Sequence, residues 1–147
     1  MAGPMRWVGL VLLALSLGAA AAPDDEAQRR MAVRVDASNT AQWIFRVHTT
    51  IPAAPGPLRL LYPRWLPGYH GPAGDVVQLA GLTVRAGTQR LPWTRAPDEL
   101  HGFDVTVPAG ARAVDVEYQW LGPTKGSQAP TVQSRDALAV TWPALVL

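Results

Sequence analysis

The sequence has three imidazoles, His48, His70 and His101. Imidazole nitrogens ligate zinc and exchange protons near neutral pH. A zinc helix needs two histidines one turn apart, with a glutamate beside the first, as His-Glu-x-x-His. That motif is absent. The intervals 70 − 48 = 22 and 101 − 70 = 31 residues are uninformative, so zinc would need three loops to converge. His48 falls on the outward phase of an alternating run. Three unrelated polar or turn histidines are therefore expected. Asp98 and Glu99 are adjacent carboxylates close to His101. A carboxylate pair flanking a glycosidic bond can hydrolyse it, but adjacent residues on an extended chain point to opposite sides. A solvated loop is the expectation, with a small hydrolase built on Asp98, Glu99 or His101 as an alternative. There is no Gly-x-Ser-x-Gly elbow and no glycine-rich phosphate loop. The serines of the mature chain, Ser38, Ser127 and Ser134, all fall in expected loops. The chain offers no catalytic residue and no metal ligand.

The segment with the greatest density of recognition chemistry is Leu61-Tyr62-Pro63-Arg64-Trp65-Leu66-Pro67-Gly68-Tyr69-His70-Gly71-Pro72. It packs three prolines, two glycines and three aromatics into 12 residues. Proline limits the entropy lost on ordering, and Trp and Tyr supply contact area. Loops of this kind often carry binding. Trp65, Pro67, Gly68, Tyr69 and His70 are the candidate interface or cleft residues. A purely structural reading is equally open, in which the aromatics plug one end of the fold.

The elements that would hold this loop read as strands. Met31, Val33 and Val35 alternate with Ala32, Arg34 and Asp36. Trp43, Phe45 and Val47 alternate with Ile44, Arg46 and His48. Phe103, Val105 and Val107 alternate with Asp104 and Thr106. Val114, Val116, Tyr118 and Trp120 alternate with Asp115, Glu117 and Gln119. Period two with β-branched and aromatic residues marks half-buried strands. Leu58–Tyr62, Val76–Arg85 and Leu138–Trp142 are weaker strand candidates. Ser38-Asn39, Ala86-Gly87-Thr88 and Pro108-Ala109-Gly110 supply turns. Gly122–Pro130 reads as a flexible loop, with an extension to Ser134 left open. No sustained 3.6-residue period appears in the mature chain. The fold class is all-β, an antiparallel β-sandwich of about seven or eight short strands over residues 23–147, preceded by a signal peptide over residues 1–22.

Composition agrees. The chain has 147 residues, 48% hydrophobic and 16% charged, enough for one domain with a real core. It has no cysteine, which excludes disulfides, thiolate metal sites, cysteine catalysis and an N-terminal lipidated cysteine. The 13 basic and 11 acidic residues leave a net charge of +2, too small an excess to point to nucleic acid. In the leader, Arg6 precedes an apolar run from Trp7 to Leu17 and then small residues, the layout of an export signal. The run is shorter than the roughly 20 residues of a spanning helix. Cleavage among Ala19–Ala22 would leave an exported domain, periplasmic or secreted, with no membrane anchor. The apolar terminus Ala139–Leu147 stops as a strand is being built, which suggests a fragment or a strand in need of a partner.

Pro63-Arg64-Trp65-Leu66-Pro67-Gly68-Tyr69-His70 resembles the Pro-x-Trp-x-Pro-Gly-x-Tyr/His stretch of the glycyl aminopeptidase family, the sixty-first metallopeptidase family. Ala80–Val84, Leu91–Arg95, His101–Pro108 and Val114–Trp120 also look like the N-terminal domain of that family. The resemblance runs from about Val33 to Trp142. It implies a zinc peptidase with an N-terminal β domain, a helical catalytic domain carrying His-Glu-x-x-His, and a PDZ domain. This chain lacks that helix and the PDZ domain, so no catalytic or zinc residue carries over. The resemblance implies no cofactor in this chain, with zinc expected only in a missing catalytic domain. It implies that catalytic domain as partner, a peptide as possible substrate, and a role in walling the substrate cleft. The other open reading is a free-standing secreted module that binds a peptide or glycan through Trp65 and Tyr69.

Overall fold

The structure, a computed structural model, describes residues 30–122, 131–133 and 138–147. The expected signal segment lies outside the described residues. Among those described, the chain is all-β, with ten strands: β1 (Ala32–Asp36), β2 (Ile44–Pro52), β3 (Gly56–Leu61), β4 (Leu79–Ala86), β5 (Gln89–Leu91), β6 (Trp93–Arg95), β7 (Gly102–Val107), β8 (Ala113–Leu121), β9 (Thr131–Gln133) and β10 (Leu138–Val140). One sheet has the order β1-β2-β8-β4-β5, a second β3-β7-β6, and β9 pairs with β10 in a small ribbon. All pairings are antiparallel. The two main sheets share one core. Phe45 and Val47 face it from β2, Val114, Val116, Tyr118 and Trp120 from β8, and Leu82 and Val84 from β4. Leu60 on β3 and Phe103, Val105 and Val107 on β7 close it from the other sheet. Of these, the residues of β2, β7 and β8 are ones that the period-two pattern assigned to one face, while Leu60, Leu82 and Val84 come from the weaker strand candidates.

Ten strands exceed the seven or eight expected because β5, β6 and β9 are three residues long. Three residues are too few to show a period. β9 falls inside the stretch read from sequence as a loop. At Pro92 the chain leaves the five-stranded sheet after Leu91 and enters the three-stranded sheet at Trp93. Proline lacks an N–H, and the corner between two ladders needs none.

Three local expectations are corrected. Trp43 does not continue β2. It sits outside the strand with φ +55°, and its carbonyl accepts from the Gly122 N–H at 2.7 Å. Val76–Gln78 is a 3-10 turn rather than the start of a strand, because the Asp75 carboxylate accepts the Val77 N–H and caps it. A bulge follows in β4, where Gly81 takes φ +67° and the pairing with β8 shifts between Ala80 and Thr83. The extra residue lets both Leu79 and Leu82 face the core, which simple alternation forbids. At the C-terminus the last strand ends at Val140, and Trp142–Leu145 form a 3-10 turn with Pro143 in its first positions.

Candidate functional site

The loop Leu61–Pro72 and the turn before β7 meet at one end of the sandwich. Tyr62 is the organising residue. Its N–H donates to the His101 carbonyl at 2.9 Å. Its hydroxyl donates to the Ala144 carbonyl at 2.8 Å and accepts the Trp120 indole N–H at 3.0 Å. The Tyr118 hydroxyl donates to the Leu145 carbonyl. Ala144 and Leu145 are thereby fixed in the core, each about 1% exposed. Burial pushes the ionisation of both Tyr62 and Tyr118 up from the ordinary phenol value. The phenols stay protonated and keep donating. The residues expected to form an unpaired terminal strand are instead docked by two buried hydroxyls and an indole.

The loop is closed at its base. The Gly74 N–H donates to the Arg64 carbonyl at 3.0 Å, and Trp65 and Pro72 form a β-bridge. A Cβ at Gly74 would stand 1.7 Å from the Pro63 carbonyl oxygen, so only glycine fits this crossing. Within the closed loop the residues divide. Tyr62 and Leu66 are buried, and Tyr69 packs half-buried against the core. Trp65, Pro67, Gly68 and His70 are exposed. Tyr62, Leu66 and Tyr69 thus pack into this end, while Trp65, Pro67, Gly68 and His70 are turned to solvent. Gly68–Ala73 line a shallow depression of about 690 Å³.

The second strap is the 96–101 turn. The His101 side chain is only 13% exposed. Its Nε2 lies 3.1 Å from the Gly74 carbonyl and its Nδ1 3.6 Å from the Glu99 carboxylate. Its ring stacks on Tyr62 with centroids 6.3 Å apart and planes 11° apart. The Glu99 carboxylate also accepts the His101 N–H at 3.0 Å. Asp98 turns the other way and pairs with Arg59 at 3.0 Å. Arg59 holds Asp104 through two nitrogens, at 2.6 and 3.0 Å. These bonds from Arg59 hold the Asp98 and Asp104 carboxyls below the usual carboxylate range. Asp98 thus pairs with Arg59 while Glu99 braces His101, so the two adjacent carboxylates point to different partners, as expected for neighbours on an extended chain.

The three histidines occupy three different settings. His48 lies on the outer face of the five-stranded sheet, with Nε2 3.2 Å from Asp115, which also accepts the Thr50 hydroxyl at 2.7 Å. His101 braces Gly74, and His70 sits on the exposed loop. Among the described residues no three His, Asp or Glu side chains converge into a metal site. No helix of the described residues is long and apolar enough to cross a membrane. Sequence reasoning missed Gly74, whose role depends on Pro63 and Arg64 at the other end of the same loop, and the pairing of Tyr62 with Ala144, which no local pattern announces.

A family model described as the Peptidase M61 N-terminal domain matches residues 32–147. The chain belongs to this family. The match covers every described strand and includes both straps and the docked C-terminal turn. A solved structure with the same fold is an aminopeptidase N family protein from Idiomarina loihiensis, with TM-score 0.60 and 18% identity. The alignment covers 71% of this chain and 17% of that one, so this M61 N-terminal domain corresponds to a small part of a much longer protein. No curated protein matches the chain.

Proposed function

We propose that this chain is the exported, non-catalytic N-terminal domain of a zinc metallo-aminopeptidase-like protein, which packs on the catalytic domain and shapes its substrate cleft through the Trp65–His70 loop. The family match over residues 32–147 carries the reading. The loop supports it: Gly74 and the Trp65–Pro72 bridge fix its base, while Trp65 and His70 reach outward. A stiff loop can wall a cleft with little entropy lost when substrate binds. Zinc and the general base belong in this reading to the catalytic domain, which would act on a peptide. Export is supported by the leader, whose charged start, apolar run and small residues match a cleaved signal.

The test is an aminopeptidase assay of the purified chain, with and without zinc, alone and mixed with a family peptidase domain lacking its own N-terminal domain. The chain alone should be inert, and its addition should lower KM for the partner. Metal-dependent hydrolysis by the chain alone would overturn the reading. Export is checked by the mass of the secreted product, which should lack about the first 19–22 residues. The depression beside Tyr69 supports a second reading, a free-standing secreted module for peptides or glycans. Unchanged affinity for such ligands in a folded Trp65→Ala variant would remove it.

A further inference from the structure

The outermost strand of a sheet presents a row of N–H and C=O groups that template pairing with another chain unless the edge is blunted. Among the described residues the two main sheets end in β1 and β5 and in β3 and β6. Three of these edges are blunted. β5 and β6 are three residues each. β3 carries Pro57, which has no N–H to offer. β1 has neither device: its five residues, Ala32-Val33-Arg34-Val35-Asp36, include no proline and no glycine. It pairs with β2 on one side, and no described strand lies on the other. Val33, Val35 and Ala37 all pack partly buried against the core, so the alternation runs on to Ala37. Arg34 and Asp36 stand between them on the outer face, both exposed. Arg34 has no carboxylate partner among the described residues. The Asp36 carboxylate is oriented by the Ser38 N–H at 3.0 Å and lies 3.9 Å from Arg46, which leaves it 48% exposed.

We propose that β1 is a dimerisation edge, on which β1 of a second copy pairs antiparallel about a two-fold axis at Val35, joining two five-stranded sheets into one continuous sheet. The occupant and the register follow from charge. In a joined sheet outward residues must stay opposite outward residues, so the axis passes through one residue of the strand. An axis at Arg34 would set Arg34 against itself, and an axis at Asp36 would set Asp36 against itself. Like charges directly opposite destabilise a strand pair. An axis at Val33 would leave Arg34 facing Ala32. An axis at Val35 places Arg34 opposite Asp36 of the second copy, and by symmetry does so twice. It also sets Val35 against Val35 and Val33 against Ala37, so the half-buried apolar row of each copy covers that of the other. The strand is thus complementary to itself in one register, which makes a second copy the occupant that fits it. The pairing is independent of the proposed function, which concerns the Trp65–His70 loop.

The test follows self-association of the purified chain by sedimentation equilibrium. One short strand pair buries little area, so half-association is expected at about 10–500 μM. Arg34→Asp and Asp36→Arg should each weaken association by about tenfold or more, because each creates two like-charge pairs across the axis. An equimolar mixture of these two variants should associate as the wild type does. In the mixed dimer the new carboxylate at position 34 meets the new guanidinium at position 36, and the other pair is native. The double variant carrying both changes should recover as well. Both positions are exposed, and a thermal unfolding scan confirms that each variant is folded. A wild-type chain that stays monomeric throughout would leave the edge to some other extended chain and overturn the inference. Association that neither variant weakens would place the contact elsewhere and also overturn it. Variants that weaken association singly but do not recover when mixed would overturn the pairing about Val35.

Discussion

The two ends of the sandwich solve different problems. One carries the short connections β2–β3, β4–β5 and β7–β8. The other carries the β1–β2 loop, the long 62–78 loop, the 96–101 turn and the docked C-terminal turn. At the short-turn end, Gly110 has φ +86° with open space where a Cβ would be, so glycine there permits a backbone conformation. At the long-loop end, Gly74 has no unusual φ, yet its missing Cβ leaves room for the Pro63 carbonyl. Glycine there permits a contact. The short-turn end is specified by local chemistry. The long-loop end is specified by residues distant in sequence. The fold is closed by local chemistry at one end and by contacts between distant residues at the other.

The largest expected effect breaks this contrast directly. Gly74→Ala should prevent the crossing and destabilise the domain by more than about 3 kcal/mol, the scale of severe steric insertions. Gly110→Ala should cost only about 1–2 kcal/mol, the strain of a left-handed alanine. Urea unfolding of both variants checks the pair, and equal losses would erase the distinction. Next comes Tyr62→Phe, which strips partners from the Ala144 carbonyl and the Trp120 indole. A loss of about 1–3 kcal/mol is expected from leaving buried polar groups unmet. The same phenols should set the alkaline limit. Unfolded tyrosines ionise near pH 10, whereas the buried ones resist. Their contribution is complete below pH 10 and is lost as pH climbs above it. A Tyr62→Phe, Tyr118→Phe double variant should show a flatter decline in an alkaline unfolding series.

Thr49 sharpens the comparison from the core between the two ends. It is fully buried on β2, and its hydroxyl has no hydrogen-bond partner. Thr49→Val should stabilise the domain by about 1 kcal/mol, measured by thermal unfolding, because an unmet buried hydroxyl is removed at constant shape. The smallest effect concerns Arg59. Its bonds depress Asp98 and Asp104 below the ordinary 3.8. Their contribution is present above that pH and fades as pH falls below it. Asp98 is exposed and Asp104 half-exposed, so the effect should be small and should shrink with salt. Acid titrations of Asp104→Asn at two ionic strengths check it.

The strands that build the core were legible because their side chains alternate over five or more residues. β8 is the clearest case, with Val114, Val116, Tyr118 and Trp120 all buried. The turn at Gly87-Thr88 was legible from its residue types. Trp43 misled because its aromatic character fitted the alternation of β2, while its carbonyl was needed by Gly122. Val76 and Val77 looked like a strand until the Asp75 cap drew them into a turn. The candidate loop was found from its composition, and its division into plug and outward face was not. That division depends on which residues meet Ala144, His101 and the core, and those partners come from elsewhere in the chain. The docked C-terminus was hidden for the same reason.

The central claim is that the Trp65–His70 loop meets a peptidase domain. Amide hydrogen exchange of this chain, with and without that domain, tests it most directly. The account expects new protection in residues 61–78, with the 108–112 turn and β1 unchanged. Protection confined to β1, β2 and the 108–112 turn would contradict it.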